Sequence, residues 1–181
     1  MSLSPWEHLS TERLVRFKVF DVLRCQRRSP RTGAEIGMFT IQTLDWVHVV
    51  ALDDEGRLIL VRQYRHGPCT FSIELPGGAI SKGEDPARAA ERELLEETGY
   101  AAGRLRPLGS VNPNPAIFGN RCFTYLASGC RRVAEPELDR GEDLEVIVAD
   151  RALVDAWIRD GSIDHALVLA GLCLHDLGPQ A

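Results

Sequence analysis

The stretch from Gly77 to Tyr100, GGAISKGEDPARAAERELLEETGY, constrains the fold more than any other part of the chain, because it reads as a capped helix carrying an unusual charge load. Asp85 suits an N-cap, Pro86 the first helical position and Gly99 the position just past the end. Ala87, Ala90 and Leu94 make a core-facing stripe. Glu91, Glu93, Glu96 and Glu97 crowd the last turns. Glu93 and Glu97 share a face, and Glu96 is one turn from Glu93. Like charges so spaced cost an isolated helix about 0.2–0.5 kcal/mol per pair. Arg92 compensates Glu96 but cannot answer all the charge. Glu97 lies about 60° from Leu94 on an ideal helix, at the core edge rather than out in solvent. Two readings follow: a solvated acidic face, or a site for a hard divalent cation, which takes carboxylate oxygens and often shares them with substrate phosphates.

Length and composition narrow the rest. The 181 residues suit one domain, or one domain with a small appendage, and 44% apolar residues suffice for a core. A net charge of −5 argues against a general nucleic-acid or membrane-surface binder. No apolar run reaches membrane-spanning length, and the N-terminal residues do not form a secretory signal. Five scattered cysteines without a C-x-x-C pair read as reduced thiols, mostly in the core. A soluble cytoplasmic protein is expected.

Along the chain, Arg16–Arg27 alternates as a strand, SPRTGAE is a turn cluster and MFTIQTL a second strand, so residues 16–44 form an antiparallel hairpin. WVHVVAL, DDEG and RLILVRQYR make a second hairpin, and FSIELPGG a strand ending at Pro76. After the acidic helix come LRPLGSV, the loop NPNPA, strand RCFTYLAS, an acidic stretch, strand LEVIVAD and two helical segments. Hairpins with few crossover helices predict an α+β fold, with a mixed sheet covered by helices. The expected organisation is an N-terminal strand region over residues 1–44 and a main domain over 45–181.

The spacing Gly78, Glu84, Arg92-Glu93-Leu94-Leu95-Glu96-Glu97-Thr98-Gly99-Tyr100 closely resembles the Nudix box, G-x5-E-x7-R-E-U-x-E-E-x-G-U, with Tyr100 at the final bulky position. The resemblance implies the Nudix fold, a mixed β-sheet sandwiched between α-helices, and hydrolysis of a nucleoside diphosphate linked to another moiety. It implies Mg²⁺, with Mn²⁺ as the alternative, held by Glu93 and Glu97, by Glu96 through water or a second ion, and by the Gly77 carbonyl. Glu96 thereby belongs to the catalytic set as well. Gly78 and Gly99 shape the motif, and a Glu84–Arg92 salt bridge holds loop and helix together.

Further stretches resemble the ADP-ribose and nucleoside-diphosphate-sugar pyrophosphatase branch: LILVRQYRHG, ELPGG and Pro115 as the branch's marker proline. A nucleotide-sugar substrate follows. Arg65 is the candidate phosphate grip. Trp46 is weighed between base stacking and packing, Phe39 is placed in the core, and Arg27 and Arg28 are further candidate contacts weighed against a solvated strand end. His165 is read as a satisfied helix histidine. Asn114 and Asn120 supply hydrogen-bonding groups in the loop after the box. Members of this branch often carry a glutamate shortly after the marker proline, and NPAIFGNRC has none. The general base is therefore sought in ELDRGEDLEV, with Glu142 first and Glu145 second. The branch usually exchanges N-terminal strands between two subunits, which implies a homodimer. The alternatives are a dinucleotide polyphosphate or nucleoside triphosphate hydrolase, and a non-catalytic nucleotide-sugar sensor. An intact set of Glu93, Glu96 and Glu97 speaks against the sensor.

Overall fold

The computed structural model describes residues 3–138 and 141–178. They separate into two compact units, one comprising the chain up to Leu44 with Asn112–Asn120, the other comprising Asp45–Val111 with the chain from Arg121 onward.

The first unit is a three-stranded antiparallel sheet of β1 (Glu7–Arg16), β2 (Phe20–Arg28) and β3 (Glu35–Thr43) in the order β1-β2-β3. The β2–β3 hairpin matches the expectation, and its turn is closed by Gly33 N–H donating to the Ser29 carbonyl at 2.9 Å. The strand expected over Arg16–Arg27 is interrupted. The chain bends at Phe17–Phe20, where Phe17 N–H donates to the Phe20 carbonyl at 2.9 Å, and β1 precedes the bend. Alternation shows that a segment is extended but not where it folds back, so β1 was not foreseen. Phe39, expected in the core, is 59% exposed.

The second unit is built on an eight-stranded mixed sheet. Its strands are β4 (Trp46–Asp53), β5 (Leu58–Arg65), β6 (Thr70–Glu74), β7 (Gly77–Ala79), β8 (Tyr100–Ala101), β9 (Arg104–Val111), β10 (Cys122–Arg132) and β11 (Leu144–Ala149). The central path runs β11-β5-β4-β10-β8, with β6 on β5, β7 on β4 and β9 on β10. Only β4 and β10 pair in parallel. The helices are α1 (Pro86–Thr98), α2 (Arg151–Asp160) and α3 (Ala166–Leu177).

Strand alternation sorts the core into two layers. Val47, Val49, Ala51 and Ile59 pack with Ala89, Ala90 and Leu94 of α1. On the opposite face Val50, Leu58, Leu60 and Leu126 pack with Val154 of α2 and with Val168 and Leu172 of α3. Both faces are covered, which is why WVHVVAL reads as a nearly continuous apolar run. Ala89, not Ala87, joins Ala90 and Leu94 in the buried stripe of α1. Cys25, Cys122 and Cys130 are buried, Cys69 and Cys173 exposed, and all five are free thiols. No helix among the described residues is long and apolar enough to cross a membrane.

Candidate functional site

Two glycines set the geometry. Strand β7 runs antiparallel to β4, pairing Trp46 with Ala79, Val47 with Gly78 and His48 with Gly77. A Cβ on Gly77 would collide with the Val47 carbonyl oxygen, and one on Gly78 would stand 2.5 Å from Oε1 of Glu93. Only residues without side chains let this strand pass between β4 and the carboxylate face of α1. The close approach brings Gly77 N–H to Oε2 of Glu97, to which it donates at 2.8 Å.

The helix is anchored as its sequence dictates. The Asp85 side chain accepts hydrogen bonds from the N–H groups of Ala87 and Arg88, at 2.9 and 3.3 Å. The left-handed Gly99 ends it, donating to the Leu95 carbonyl at 2.8 Å. On the acidic face Arg92 serves three glutamates. Its Nε and Nη2 donate to the two oxygens of Glu84 at 2.9 and 3.1 Å, and its Nη1 to Oε1 of Glu93 and Oε2 of Glu96, each at 2.9 Å. The Arg92 bonds, with backbone donation from Ser81, hold the Glu84 carboxyl down to about 2. Glu84 thus ties the preceding loop to the helix, while Arg92 relieves part of the repulsion.

Glu97 has no such relief. It is 4% exposed, and burial, followed by the nearby charges of Glu93 and Glu142, raises its carboxyl to about 8 against the Gly77 bond. Burial also raises Glu93, against the pull of Arg92. Two buried carboxylates that resist ionisation side by side, with Glu96 one turn away, are an all-oxygen donor set suited to a hard cation. Arg92 and Gly77 each engage one oxygen of these carboxylates, and a carboxylate has two to offer. In the arrangement seen, no three His, Cys, Asp or Glu side chains among the described residues converge as a closed ligand set. The chemistry of the donors fits Mg²⁺, with Arg92 sharing Glu93 and Glu96.

Beside this face lies a cavity of about 960 Å³. Glu97 and Gly77–Ala79 form one wall, Trp46–His48 another, and Gln63–Pro68 with Thr70 and Ser72 a third. Gly141–Asp143 and the start of α3, with Asp164, His165 and Leu167, complete it. Arg65 lines the cavity, but its fork is committed: Nε and Nη2 donate to the two oxygens of Glu74, both at 2.7 Å. Glu74 is 1% exposed, and Arg65 holds its carboxyl below the usual range against the burial that would raise it. Arg65 also lies in the field of Glu97 and Glu142. Glu142 lines the cavity, and Trp46 does so half-buried.

The other sequence-selected residues sit elsewhere. Glu145 is on β11 opposite Arg62, 68% exposed, in a 3.6 Å ion pair with that arginine. Arg27 and Arg28 are on β2 of the first unit, where Arg28 bridges Glu7 and Glu35 at 2.6 and 2.8 Å. Asn114 caps a turn of the same unit, its side-chain oxygen accepting from Ala116 N–H at 3.3 Å, and Asn120 is buried with Nδ2 donating to the Leu44 carbonyl at 3.0 Å. Sequence reasoning missed His48 as a cavity group and Glu74 as the buried partner that holds Arg65. The available signals were a histidine inside the apolar run WVHVVAL and an acidic residue inside SIELPG. His165, expected as a satisfied helix histidine, is instead the N-cap of α3, and its buried Nδ1 has no hydrogen-bond partner.

Comparisons with known proteins bear on the fold and the family. The family model of the NUDIX domain matches residues 44–165. An ADP-ribose pyrophosphatase of Mycobacterium tuberculosis is 31% identical over 175 residues, covering 95% of this chain and 84% of that protein. One from Bacillus subtilis is 37% identical over 102 residues, 56% of this chain and 55% of that protein. The crystal structure of an ADP compounds hydrolase superposes with a TM-score of 0.86 at 25% identity, covering 97% of this chain and 95% of that one. A family match over most of the chain, a relative aligned along nearly its whole length and an acidic helix joined to its glycine strand lead to one statement: the chain belongs to the Nudix hydrolase family, as a pyrophosphatase.

Proposed function

We propose that this Nudix hydrolase cleaves the pyrophosphate of nucleoside diphosphate sugars, ADP-ribose among them, to a nucleoside monophosphate and a sugar phosphate. The observation that carries the reading is a cavity that brings Glu97, Glu142 and Arg65 together beside Trp46. Its volume, about 960 Å³, suits a ligand of nucleotide-sugar size. The names of the relatives, ADP-ribose pyrophosphatases, point the same way.

Glu93, Glu96, Glu97 and the Gly77 carbonyl are the groups that would hold Mg²⁺ or Mn²⁺. Such a cation, when bound, supplies neutralisation of the diphosphate charge and a lowered pKa for bound water. The chain's own groups do the rest. Glu142, exposed on the cavity wall, accepts the proton of the attacking water. Arg65, stiffened by its fork to Glu74, orients a phosphate with its remaining edge. Trp46 offers its ring to the base. Glu145 is engaged by Arg62 and lies off the cavity wall, which favours Glu142 as base.

Quaternary structure belongs to the same reading. The first unit exposes Leu14, Val15, Phe17, Val19, Ile36, Met38 and Phe39, and only Cys25 and Ser29 are buried within its strands and the turn between β2 and β3. A sheet with so little core of its own is suited to pairing with a second copy, and we propose a homodimer through it.

The test is product analysis with Mg²⁺ and a panel of ADP-ribose, ADP-glucose, GDP-mannose, UDP-glucose, diadenosine polyphosphates and nucleoside triphosphates. Monophosphate release from the sugar nucleotides is expected. Cleavage of the polyphosphates alone would move the chain out of the nucleotide-sugar class.

A further inference from the structure

The hairpin of β5 and β6 forms a polar wall of the cavity, and Gln63 on that wall has no part in the mechanism above. Gln63 and Arg65 are two residues apart on β5 and so share a face, about 7 Å apart along the strand. In the register of the sheet Gln63 stands between Leu144 of β11 and Ser72 of β6, and Arg65 stands opposite Thr70. Gln63, Arg65, Thr70 and Ser72 all line the cavity. Arg62, one residue out of phase, belongs to the other face, where it lies over the Phe71 ring at 4.6 Å and pairs with Glu145 at 3.6 Å.

Arg65 and Glu74 are joined through both carboxylate oxygens, each at 2.7 Å, and Ser72 adds a hydrogen bond to the same carboxylate. Gln63 stands beside this network and outside it. It is half-buried, its amide makes no hydrogen bond among the described residues, and its polar atoms keep accessible surface. A primary amide brings two N–H donors and no charge. Glu74 matches the charge of Arg65, so the pair offers a phosphate the hydrogen bonds of one guanidinium edge and little net attraction. One edge fixes a phosphate in the plane of the fork and leaves it free to turn about that edge. A second donor on the same hydrogen-bonded hairpin stops the turn.

We propose that Gln63 is a substrate-contacting residue: its amide N–H donates to a non-bridging oxygen of the phosphate that Arg65 orients, so that the two side chains hold the diphosphate from one wall of the cavity. The ligand chemistry is a diphosphate, whatever its second substituent. The proposal rests on the reading of Arg65 as the phosphate grip and adds the residue that fixes the rotation of that phosphate.

Two measurements test it. The first is kcat/KM for ADP-ribose with Mg²⁺ in wild type, Gln63→Leu and Gln63→Glu. The leucine variant keeps the bulk and removes the donor, and it should lose about ten- to hundredfold, as for one hydrogen bond to a charged group. The glutamate variant sets a carboxylate against the phosphate and should lose more. An unchanged kcat/KM in Gln63→Leu, or a glutamate variant at least as active as the leucine variant, overturns the contact. The second needs neither a variant nor turnover. Side-chain ¹⁵N–¹H spectra of the wild-type protein are recorded with Mg²⁺ and either methylenediphosphonate, a diphosphate analogue that water does not cleave, or ribose. The diphosphonate should move the Gln63 amide signal together with the Arg65 Nε signal, and ribose should move neither. A Gln63 signal unmoved by the diphosphonate, or moved as far by ribose, overturns the proposal, and these spectra decide the matter if a variant fails to fold. If wild type does not cleave ADP-ribose, the nucleotide-sugar reading fails, and the spectra still decide whether Gln63 holds a diphosphate.

Discussion

Glu97 is the residue on which chemistry and stability meet. Its carboxyl is buried, hydrogen-bonded to Gly77 N–H and crowded by Glu93 and Glu142. The Glu97→Gln variant keeps a side chain of the same shape that can still accept from Gly77, so it should fold normally and lose turnover by orders of magnitude. Near-normal rates at excess Mg²⁺ would remove Glu97 from the cation site. The same residue predicts a pH dependence. With its carboxyl raised to about 8 in the folded protein against an ordinary 4.5, the folded state holds the proton more tightly, so metal-free stability falls as pH rises toward 8. His48 acts in the opposite sense, since its lowered value adds stability as pH rises from about 4 to its ordinary 6.5, below this window. Glu84, held down to about 2, contributes stability that is present above 4.5 and lost in acid. Thermal melts in EDTA between pH 7 and 8 should therefore show a decline that Glu97→Gln flattens and that Mg²⁺ reverses. A wild-type melt independent of pH would contradict the buried-carboxylate account. For the base, Glu142→Gln should lower kcat by about 10²–10⁴ while Glu145→Gln has little effect; the reverse order in single-turnover rates would exchange the two roles.

At the scale of the element, α1 works because cap, stripe and carboxylates keep one phase. Asp85 caps two backbone N–H groups, Ala89, Ala90 and Leu94 bury the inner face, and that same phase places Glu93 and Glu97 against β7. Asp85→Ala should cost about 1 kcal/mol of stability in denaturant titration. It should also weaken Mg²⁺ binding, because the carboxylates ride on the helix it starts. An unchanged midpoint would show that Pro86 and tertiary packing set the helix start without the cap.

At the scale of the molecule, the first unit carries the prediction. Its exposed apolar residues, Phe17, Val19 and Phe39 among them, favour self-association, so sedimentation should give twice the chain mass at micromolar concentration. Replacing Phe17 and Val19 with Lys and Glu should shift the protein toward monomer. A monomeric wild type would leave those residues without the role proposed for them.

The residue order alone determined the capped helix, the β4–β5 hairpin and a mixed sheet covered by helices. These rest on local spacing and on alternation, which act over a few residues and can be read in one dimension. It also supplied the family, through fixed intervals between Gly78 and Gly99. The tertiary structure alone decided which polar groups share the cavity. His48 sits on an apolar strand where the pattern predicts core, and it shares the cavity with His165 and with Arg65, itself paired to Glu74, only because β4, β5, β6 and the start of α3 converge. It likewise took Glu145 off the cavity wall by pairing it with Arg62 across β5 and β11. Contacts between distant segments depend on sheet order and strand register, and neither is written in local spacing.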